Sequence, residues 1–151
     1  MTNDKKRIIA DSELIINSDG SAFHIHLRPE HITDKIVICG DPGRVTMIAS
    51  HFDTRDFEIQ SREFHSIRGT YKGKDILCLS HGIGGDNIDI VMNELDALAN
   101  IDFKTRTVKD EHRTLSIVLH YSSFRGVPSC NLAWTTWTFP CSTDSIFLLF
   151  N

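Results

Sequence analysis

Short apolar runs alternate along the chain with stretches whose apolar residues recur at helical spacing. Residues 36–39 form an apolar run that ends at Gly40, and residues 43–51 follow with a helical pattern, which predicts a buried strand and a helix. Residues 75–80 are likewise followed by a glycine turn that starts at Gly82, and residues 86–100 carry the most regular helical pattern of the chain. Strands that alternate with helices indicate α/β architecture.

The segment before the first of these strands contains two histidines in an alternating pattern. Residues 22–27 alternate as a strand would, which places His24 and His26 on one face. Two histidines at this spacing can ligate a metal, but the sequence shows no third ligand, so we expect a polar edge or a ligand contact and no metal site.

The remaining segments predict further strands and a loop. Residues 57–80 indicate two strands joined by a hairpin at residues 69–74, and residues 115–118 begin another buried strand. Residues 101–113 are polar and predict a loop. Asp86 is the predicted N-cap of the second helix, because its carboxylate can accept from the first free N–H groups.

Length and composition are those of one soluble globular domain. The chain has 151 residues, of which 40% are hydrophobic and 24% charged, with a formal net charge of −4. That charge argues against a nucleic-acid partner, and no apolar run is long enough to span a bilayer. The apolar run after the charged N-terminus is too short for a signal peptide, so we expect a cytoplasmic protein. Cys39, Cys78, Cys130 and Cys141 are widely spaced and predict reduced thiols.

The charge distribution divides the chain near residue 118. Residues 119–151 contain only two of the chain's 36 charged residues, Arg125 and Asp144, together with both tryptophans. The segment has no clear helical or strand period. It would expose a large apolar surface unless something covers it.

The turn after the first predicted strand indicates an oxyanion pocket. A strand that ends at Gly40 and runs into a helix offers free backbone N–H groups to an anion, and Arg44 adds a cation, which most simply suits phosphate. A strand–turn–helix joint with a solvated Arg44 is the structural alternative. A dinucleotide-binding turn is a weaker interpretation, since Asn87 stands where the last glycine of the GxGxxG pattern belongs.

Several segments together resemble the N-terminal half of a nucleoside phosphorylase of the hexameric type. They are FHIHL at residues 23–27, GDPGRV at 40–45, SREF at 61–64, YKGK at 71–74 and GIG at 82–84. The chain is most similar to the uridine phosphorylase family, and DNIDIVMNELDAL at residues 86–98 is similar to a bacterial branch of it. The ordered set is far more specific than any one motif.

This resemblance implies an incomplete three-layer α/β/α fold with a mixed central sheet, in which residues 1–118 are the N-terminal half of the domain. It implies the reaction of uridine with phosphate to give uracil and ribose 1-phosphate, a step of pyrimidine salvage. It implies no cofactor, because inorganic phosphate is a co-substrate. It also implies a homo-oligomer, a trimer of dimers.

The resemblance assigns roles to four residues. Gly40 lets a backbone N–H group approach the phosphate and Arg44 neutralises its charge, while Arg62 reaches the phosphate of the neighbouring subunit. His24 reaches the ribose 5′-hydroxyl, also across the dimer. Each of them could instead be a surface or structural residue.

A second group of residues is implied to lie at the dimer interface. Glu63, Ile83 and Asn87 match positions of a monovalent-cation site in the family. We adopt a plain interface as the interpretation of these residues.

The resemblance ends after Val118. Leu119 stands where the family has a further phosphate arginine, and residues 119–151 lack the family's base- and ribose-binding continuation. We therefore expect weak or no activity from this chain, and the alternative is a noncatalytic phosphate-binding or subunit-interaction fragment. Read in a shifted frame, codons of residues 131–145 can spell a family-like Asp-Asn-Leu segment, so we hypothesise a frameshift near codons 118–122.

Overall fold

The computed structural model of the chain describes residues 7–120 and 134–137. A 3-10 turn at Pro29–His31 precedes the main elements. These follow in the order β1 (Lys35–Cys39), α1 (Pro42–Ala49), β2 (Thr54–Ser61), β3 (Phe64–Tyr71), β4 (Lys74–Ser80), α2 (Gly85–Asn100), β5 (Ile101–Asp102), β6 (Thr107–Val108), β7 (Leu115–His120) and β8 (Trp134–Trp137).

Six strands form a mixed sheet in the order β2-β3-β4-β1-β7-β8. The three central strands, β4, β1 and β7, are parallel, while β2, β3 and β4 form an antiparallel meander and β8 pairs antiparallel with β7. The α/β class and the mixed sheet are therefore confirmed. The carboxyl ends of the parallel strands meet at one edge, which is where ligands bind in α/β sheets.

Alternation along β1 divides the core between the two faces of the sheet. Ile36 and Ile38 belong to a buried cluster with Leu95 and other apolar residues of α2. Cys39 belongs to a second cluster with Val45 of α1. The two helices thus cover opposite faces and make three layers, and each fully buried aliphatic side chain of this kind contributes about 2 kcal/mol.

The two helices begin differently. Asp41 is the N-cap of α1, where its Oδ1 accepts from the Gly43 N–H at 3.2 Å, and Pro42 occupies the first helical position. The prediction that Asp86 caps α2 is wrong. The N-cap is Gly84 at φ +103, a conformation that suits glycine, and Asp86 lies in the first turn.

The predicted strand at residues 22–27 is a turn. Its hydrogen bonds are local, because the Ala22 N–H donates to the Leu27 carbonyl and the His26 N–H donates to the Ala22 carbonyl. His26 has φ +54, so His24 and His26 do not share a strand face. The alternating pattern was misleading because a carboxylate from α2, described below, holds the turn from outside the segment.

Residues 57–80 contain parts of three strands rather than two. Arg62 adopts φ +54 and turns the chain between β2 and β3. No glycine marks this turn, so the sequence carried no signal for it. The second turn, between β3 and β4, falls at Lys72 and Gly73 within the predicted hairpin.

The predicted loop at residues 101–113 contains a short hairpin of β5 and β6. Arg106, at its turn, donates to the carbonyl groups of Ile9, Ala10 and Leu14 and so ties the N-terminal segment to the fold. The strand predicted from residue 115 is confirmed and continues to His120.

Two of the four cysteines lie in the part of the chain that the structure describes. Cys39 and Cys78 are buried free thiols, as predicted, whereas Cys130 and Cys141 lie outside the described residues. Most of the predicted tail, residues 119–151, also lies outside them. Within the described part, no helix is both long enough and apolar enough to cross a membrane.

Candidate functional site

Two glycine turns lie side by side at the carboxyl edge of the parallel strands. Cys39, the last residue of β1, pairs with Ser80 of β4 and His120 of β7. The His81 N–H donates to the Cys39 carbonyl at 2.9 Å and extends this pairing by one residue. The turns that start at Gly40 and Gly82 therefore emerge next to each other.

Gly40 lies where a side chain would be crowded. A Cβ atom there would be 3.3 Å from the Gly82 carbonyl oxygen and 3.8 Å from Nε2 of His81. The N-terminus of α1 follows at once, and the half-buried Arg44 lies in its first turn. A close backbone approach, a helix N-terminus and a guanidinium group together favour an anion at this edge.

His81 is a functional candidate that the sequence interpretation missed. Its ring is buried, its Nδ1 atom has no hydrogen-bond partner among the described residues, and burial lowers the pKa of the imidazole below its usual value. The neutral ring is thus favoured beside Gly40. The only available signal was its position between a buried strand and Gly82.

A buried histidine connects β3 to the start of α1. His65 places Nδ1 3.1 Å from the Pro42 carbonyl oxygen and Nε2 2.8 Å from Oε1 of Glu58. Its backbone N–H donates to Oγ of Ser80, and this hydroxyl donates to the Glu63 carbonyl oxygen at 2.6 Å. The network fixes the end of β4 and the first turn of α1 relative to each other.

The two thiols below the Gly40 turn interact across the sheet. A hydrogen bond with Cys78 lowers the pKa of the Cys39 thiol, and the same bond together with burial raises the pKa of the Cys78 thiol. The Cys39 Sγ also lies 3.5 Å from the Asp41 carbonyl oxygen, to which it donates. The pair is part of the packing under the turn.

The structure brings His24 and Arg62 together in a second location. Both line a cavity of about 200 Å³, whose other walls are Asn17, Phe23, His26, Ser61 and Phe64. The exposed Arg62 supplies a cation, the histidines supply nitrogen donors or acceptors, and the phenylalanines supply apolar walls. Such a cavity suits a small polar ligand group.

The His24 side of this cavity is held by a buried carboxylate. Glu94 of α2 accepts from the backbone N–H groups of His24 and Ile25, at 3.0 and 2.9 Å, and its Oε1 lies 2.6 Å from Nδ1 of His24. This is the contact that replaces the predicted strand by a turn. No local sequence pattern pairs residue 24 with residue 94.

Glu63 links the two locations. A Cβ atom at Gly82 would lie 2.7 Å from Cγ of Glu63, and Asn87 Nδ2 donates to Oε1 of Glu63 at 3.2 Å. Of the three predicted interface residues, Glu63 and Asn87 are therefore in contact, while Ile83 is 96% exposed. Within the described residues, no group of three or more His, Cys, Asp or Glu side chains could hold a metal ion.

Residues 34–108 match the family model of the phosphorylase superfamily. Over these residues, just under half of the chain, it is similar to members of this superfamily. Gly40, Arg44 and Arg62 fall within the part matched to the phosphorylase superfamily, whereas His24 precedes it. The family resemblance predicted from the sequence is confirmed at this level.

The phosphorylase superfamily relatives include enzymes named for different bases. Purine nucleoside phosphorylase of Plasmodium falciparum is 36% identical over 77 residues, covering 51% of this chain and 31% of that protein. Uridine phosphorylase of Thermococcus kodakarensis is 35% identical over 80 residues, covering 53% of this chain and 29% of that protein.

A solved phosphorylase superfamily structure shares the fold. It is a Trypanosoma brucei nucleoside phosphorylase described as showing uridine phosphorylase activity, with a TM-score of 0.61 and 37% identity over 64% of this chain and 30% of that chain. The chain thus spans about three tenths of the length of these phosphorylases.

One predicted phosphorylase position is occupied by an apolar side chain. Leu119 pairs with Ile38 of β1 and is packed, partly buried, against the core cluster on the α2 side of the sheet. The residue that the resemblance aligns with an arginine therefore brings no cation to the edge where Gly40 lies.

Proposed function

We propose that this chain binds inorganic phosphate at the turn of residues 40–44 and takes part in the phosphorolysis of a nucleoside, with uridine as the substrate. The observation that carries the proposal is the crowded Gly40 turn, which leads directly into the N-terminus of α1 and Arg44. The backbone N–H groups and the guanidinium group would hold the phosphate by hydrogen bonds and charge.

The residues suit the demands of phosphorolysis. A phosphate oxygen attacks C1′ of the nucleoside while the bond from C1′ to the base nitrogen breaks and the sugar gains oxocarbenium character. Fixing the phosphate beforehand lowers the entropic part of this barrier. In this proposal, Gly40 and Arg44 hold the phosphate, while His24 accepts from the ribose 5′-hydroxyl and Arg62 contacts phosphate.

A homo-oligomer would place the cavity of His24 and Arg62 against the phosphate site of a second copy. The cavity and the Gly40 turn are separate locations within one chain; Glu63 follows Arg62 of the cavity wall in the sequence and lies close to Gly82, next to the Gly40 turn. The exposed Ile83 beside this link supplies apolar surface for such a contact. We therefore propose that the chain acts as a homo-oligomer.

Uridine is proposed over purine nucleosides because of the uridine phosphorylase-like segment at residues 86–98. The relatives include both a purine nucleoside phosphorylase and a uridine phosphorylase, so they support phosphorolysis of a nucleoside without indicating its base. The test is to incubate the purified chain with phosphate and either uridine or inosine and to follow free base by chromatography. We expect phosphate-dependent uracil release that exceeds hypoxanthine release; faster release of hypoxanthine would refute the choice of base.

A noncatalytic phosphate-binding protein or subunit-interaction partner is the second candidate function. The apolar Leu119, where the resemblance implies a further cation, favours it. Titration with phosphate by calorimetry separates the candidates. Phosphate binding without release of either base would support a noncatalytic phosphate-binding protein. The absence of phosphate binding would refute both that function and phosphorolysis, and would leave the subunit-interaction partner.

A further inference from the structure

Glu94 is a carboxylate buried on the core-facing side of α2. Its neighbours on the helix, Val91, Leu95 and Leu98, are buried apolar residues, and Glu94 itself is only 9% exposed. A buried carboxylate is costly unless hydrogen bonds replace its hydration. The turn around His24 supplies these bonds.

Both carboxylate oxygens contact backbone N–H groups, and one of them also contacts the imidazole ring. Oε2 accepts from the Ile25 N–H at 2.9 Å and from the His24 N–H at 3.1 Å, while Oε1 lies 3.0 Å from the His24 N–H and 2.6 Å from Nδ1. An ionised carboxylate only accepts hydrogen bonds, so Nδ1 must carry the proton. In the neutral ring, Nε2 is then left with a lone pair.

Aromatic neighbours restrict the ring further. The Phe23 ring stands edge-on, with its centroid 4.8 Å from that of His24, and the Phe64 centroid lies 6.2 Å away. The same three side chains line the cavity of about 200 Å³ that also contains Arg62. The ring is thus held by one strong hydrogen bond and two apolar contacts.

We propose that Glu94 is a positioning residue that sets the tautomer of His24, so that Nε2 accepts a hydrogen bond from a hydroxyl group of the ligand. The nature of that hydroxyl, the ribose 5′-hydroxyl, rests on the proposed function. The assignment of the tautomer rests only on the contacts of Glu94. Arg62 then provides the charge in the cavity, while His24 provides an acceptor.

The tautomer can be measured without any activity. In the ¹⁵N-histidine-labelled chain at pH 8, long-range ¹H–¹⁵N correlation spectra should show His24 protonated at Nδ1, with the signal assigned by its loss in His24→Gln. A His24 ring protonated at Nε2, or at both nitrogens, would overturn the proposal. This spectroscopic measurement needs no variant of Glu94, and its result does not depend on whether the chain turns over a nucleoside.

The substitution Glu94→Gln tests whether Glu94 sets the tautomer of His24. Two backbone N–H groups require the amide oxygen on their side, which turns the amide NH₂ toward Nδ1 and should move the ring proton to Nε2. Asp96→Asn is the matched control, because Asp96 is a half-buried carboxylate of the same helix that accepts from Asn100 at 2.7 Å. An unchanged His24 tautomer in a folded Glu94→Gln chain would refute the role of Glu94.

Comparing the binding of uridine and 5′-deoxyuridine tests whether Nε2 of His24 accepts from the ligand hydroxyl group. The wild-type chain should bind uridine about fivefold more tightly than 5′-deoxyuridine, and Glu94→Gln should remove most of that preference, whereas Asp96→Asn should keep it. If the wild-type chain binds neither nucleoside, the proposed function fails while the spectra still decide the tautomer. If Glu94→Gln changes the tautomer but retains the full preference, the hydroxyl contact is refuted.

Discussion

Gly40 lies so close to Gly82 that a Cβ atom at residue 40 would be 3.3 Å from the Gly82 carbonyl oxygen. This is tighter than ordinary van der Waals contact, so the two turns must separate by a few tenths of an ångström to admit a side chain. Gly40→Ala should therefore weaken phosphate binding at least about tenfold, because the backbone approach is blocked, while the fold is retained.

The control for this substitution is Gly85→Ala. In the part of the chain that the structure describes, a Cβ atom at Gly85 would meet nothing within 4 Å, and the residue begins α2. Calorimetric titration with phosphate should give wild-type affinity for Gly85→Ala. Equal affinity for wild type and a folded Gly40→Ala chain would contradict the role assigned to the Gly40 turn.

Arg44 should supply the main charge for phosphate. Replacing it with Gln in Arg44→Gln removes the cation while keeping a polar side chain, and we expect a loss of about 2 kcal/mol in phosphate binding, which is roughly thirtyfold. Lys72→Gln removes an equal charge from the exposed turn between β3 and β4. If both variants weaken binding equally, the effect is one of net charge and not of a site.

Gly69 should be far more sensitive to substitution than Gly73. A Cβ atom at Gly69 would lie 1.9 Å from the Thr54 carbonyl oxygen of the neighbouring strand, so Gly69→Ala should lower the free energy of unfolding by about 3 kcal/mol or more. Gly73, at φ +72, has open space, so Gly73→Ala should cost about 1 kcal/mol. Urea denaturation followed by circular dichroism measures both. Similar losses would show that the pairing of β2 and β3 differs from that described.

Stability should decline below about pH 6.5, the ordinary pKa of histidine. Burial lowers the pKa of both His31 and His81 in the folded chain. As the pH falls through the ordinary histidine pKa, these histidines bind protons in the unfolded chain but not in the folded chain. The free energy of unfolding therefore decreases until the pH passes the lowered pKa of the folded state.

His81→Gln should flatten this decline below about pH 6.5, by at most about 1.4 kcal/mol per pH unit. Urea titrations at several pH values provide the slopes. The comparison of slopes is independent of any uniform loss of stability in the variant. An unaltered slope would mean that His81 titrates normally.

The DNA sequence of the gene can test the hypothesis that a frameshift produced residues 119–151. We expect the DNA near codons 118–122 to contain a frameshift, with an alternate frame that encodes an Arg-Ile-Gly-Thr segment and later an Asp-Asn-Leu segment. Sequencing genomic DNA and transcript across Val118 decides this. An open alternate frame that lacks both segments would end the hypothesis.

Hydrophobic periodicity predicted the parts of the fold that depend on local patterns. The strand β1 and the helix α2 were predicted almost to their ends, because one buried run and one amphipathic stripe determine them. The crowded Gly40 turn could be anticipated for the same reason, since strand, glycine and helix follow each other directly.

The remaining features depend on contacts that no local pattern contains. The turn at His24 is set by Glu94, far away in the sequence, and the turn between β2 and β3 uses a positive φ at Arg62, which is not a glycine. His81 was missed because its importance lies in a buried, unpartnered Nδ1 atom, and burial is a property of the assembled sheet.

The topology of the sheet also determines when the Gly40 turn can form. The strand β1 lies between β4 and β7, and Lys35 pairs with Ser116, so one of its neighbours is contributed from far along the chain. Such nonlocal parallel pairing is slow, because the intervening chain must be ordered before the contacts stabilise it. During synthesis, which proceeds from the N-terminus, the turn at Gly40 can acquire its final surroundings only after β7 has left the ribosome.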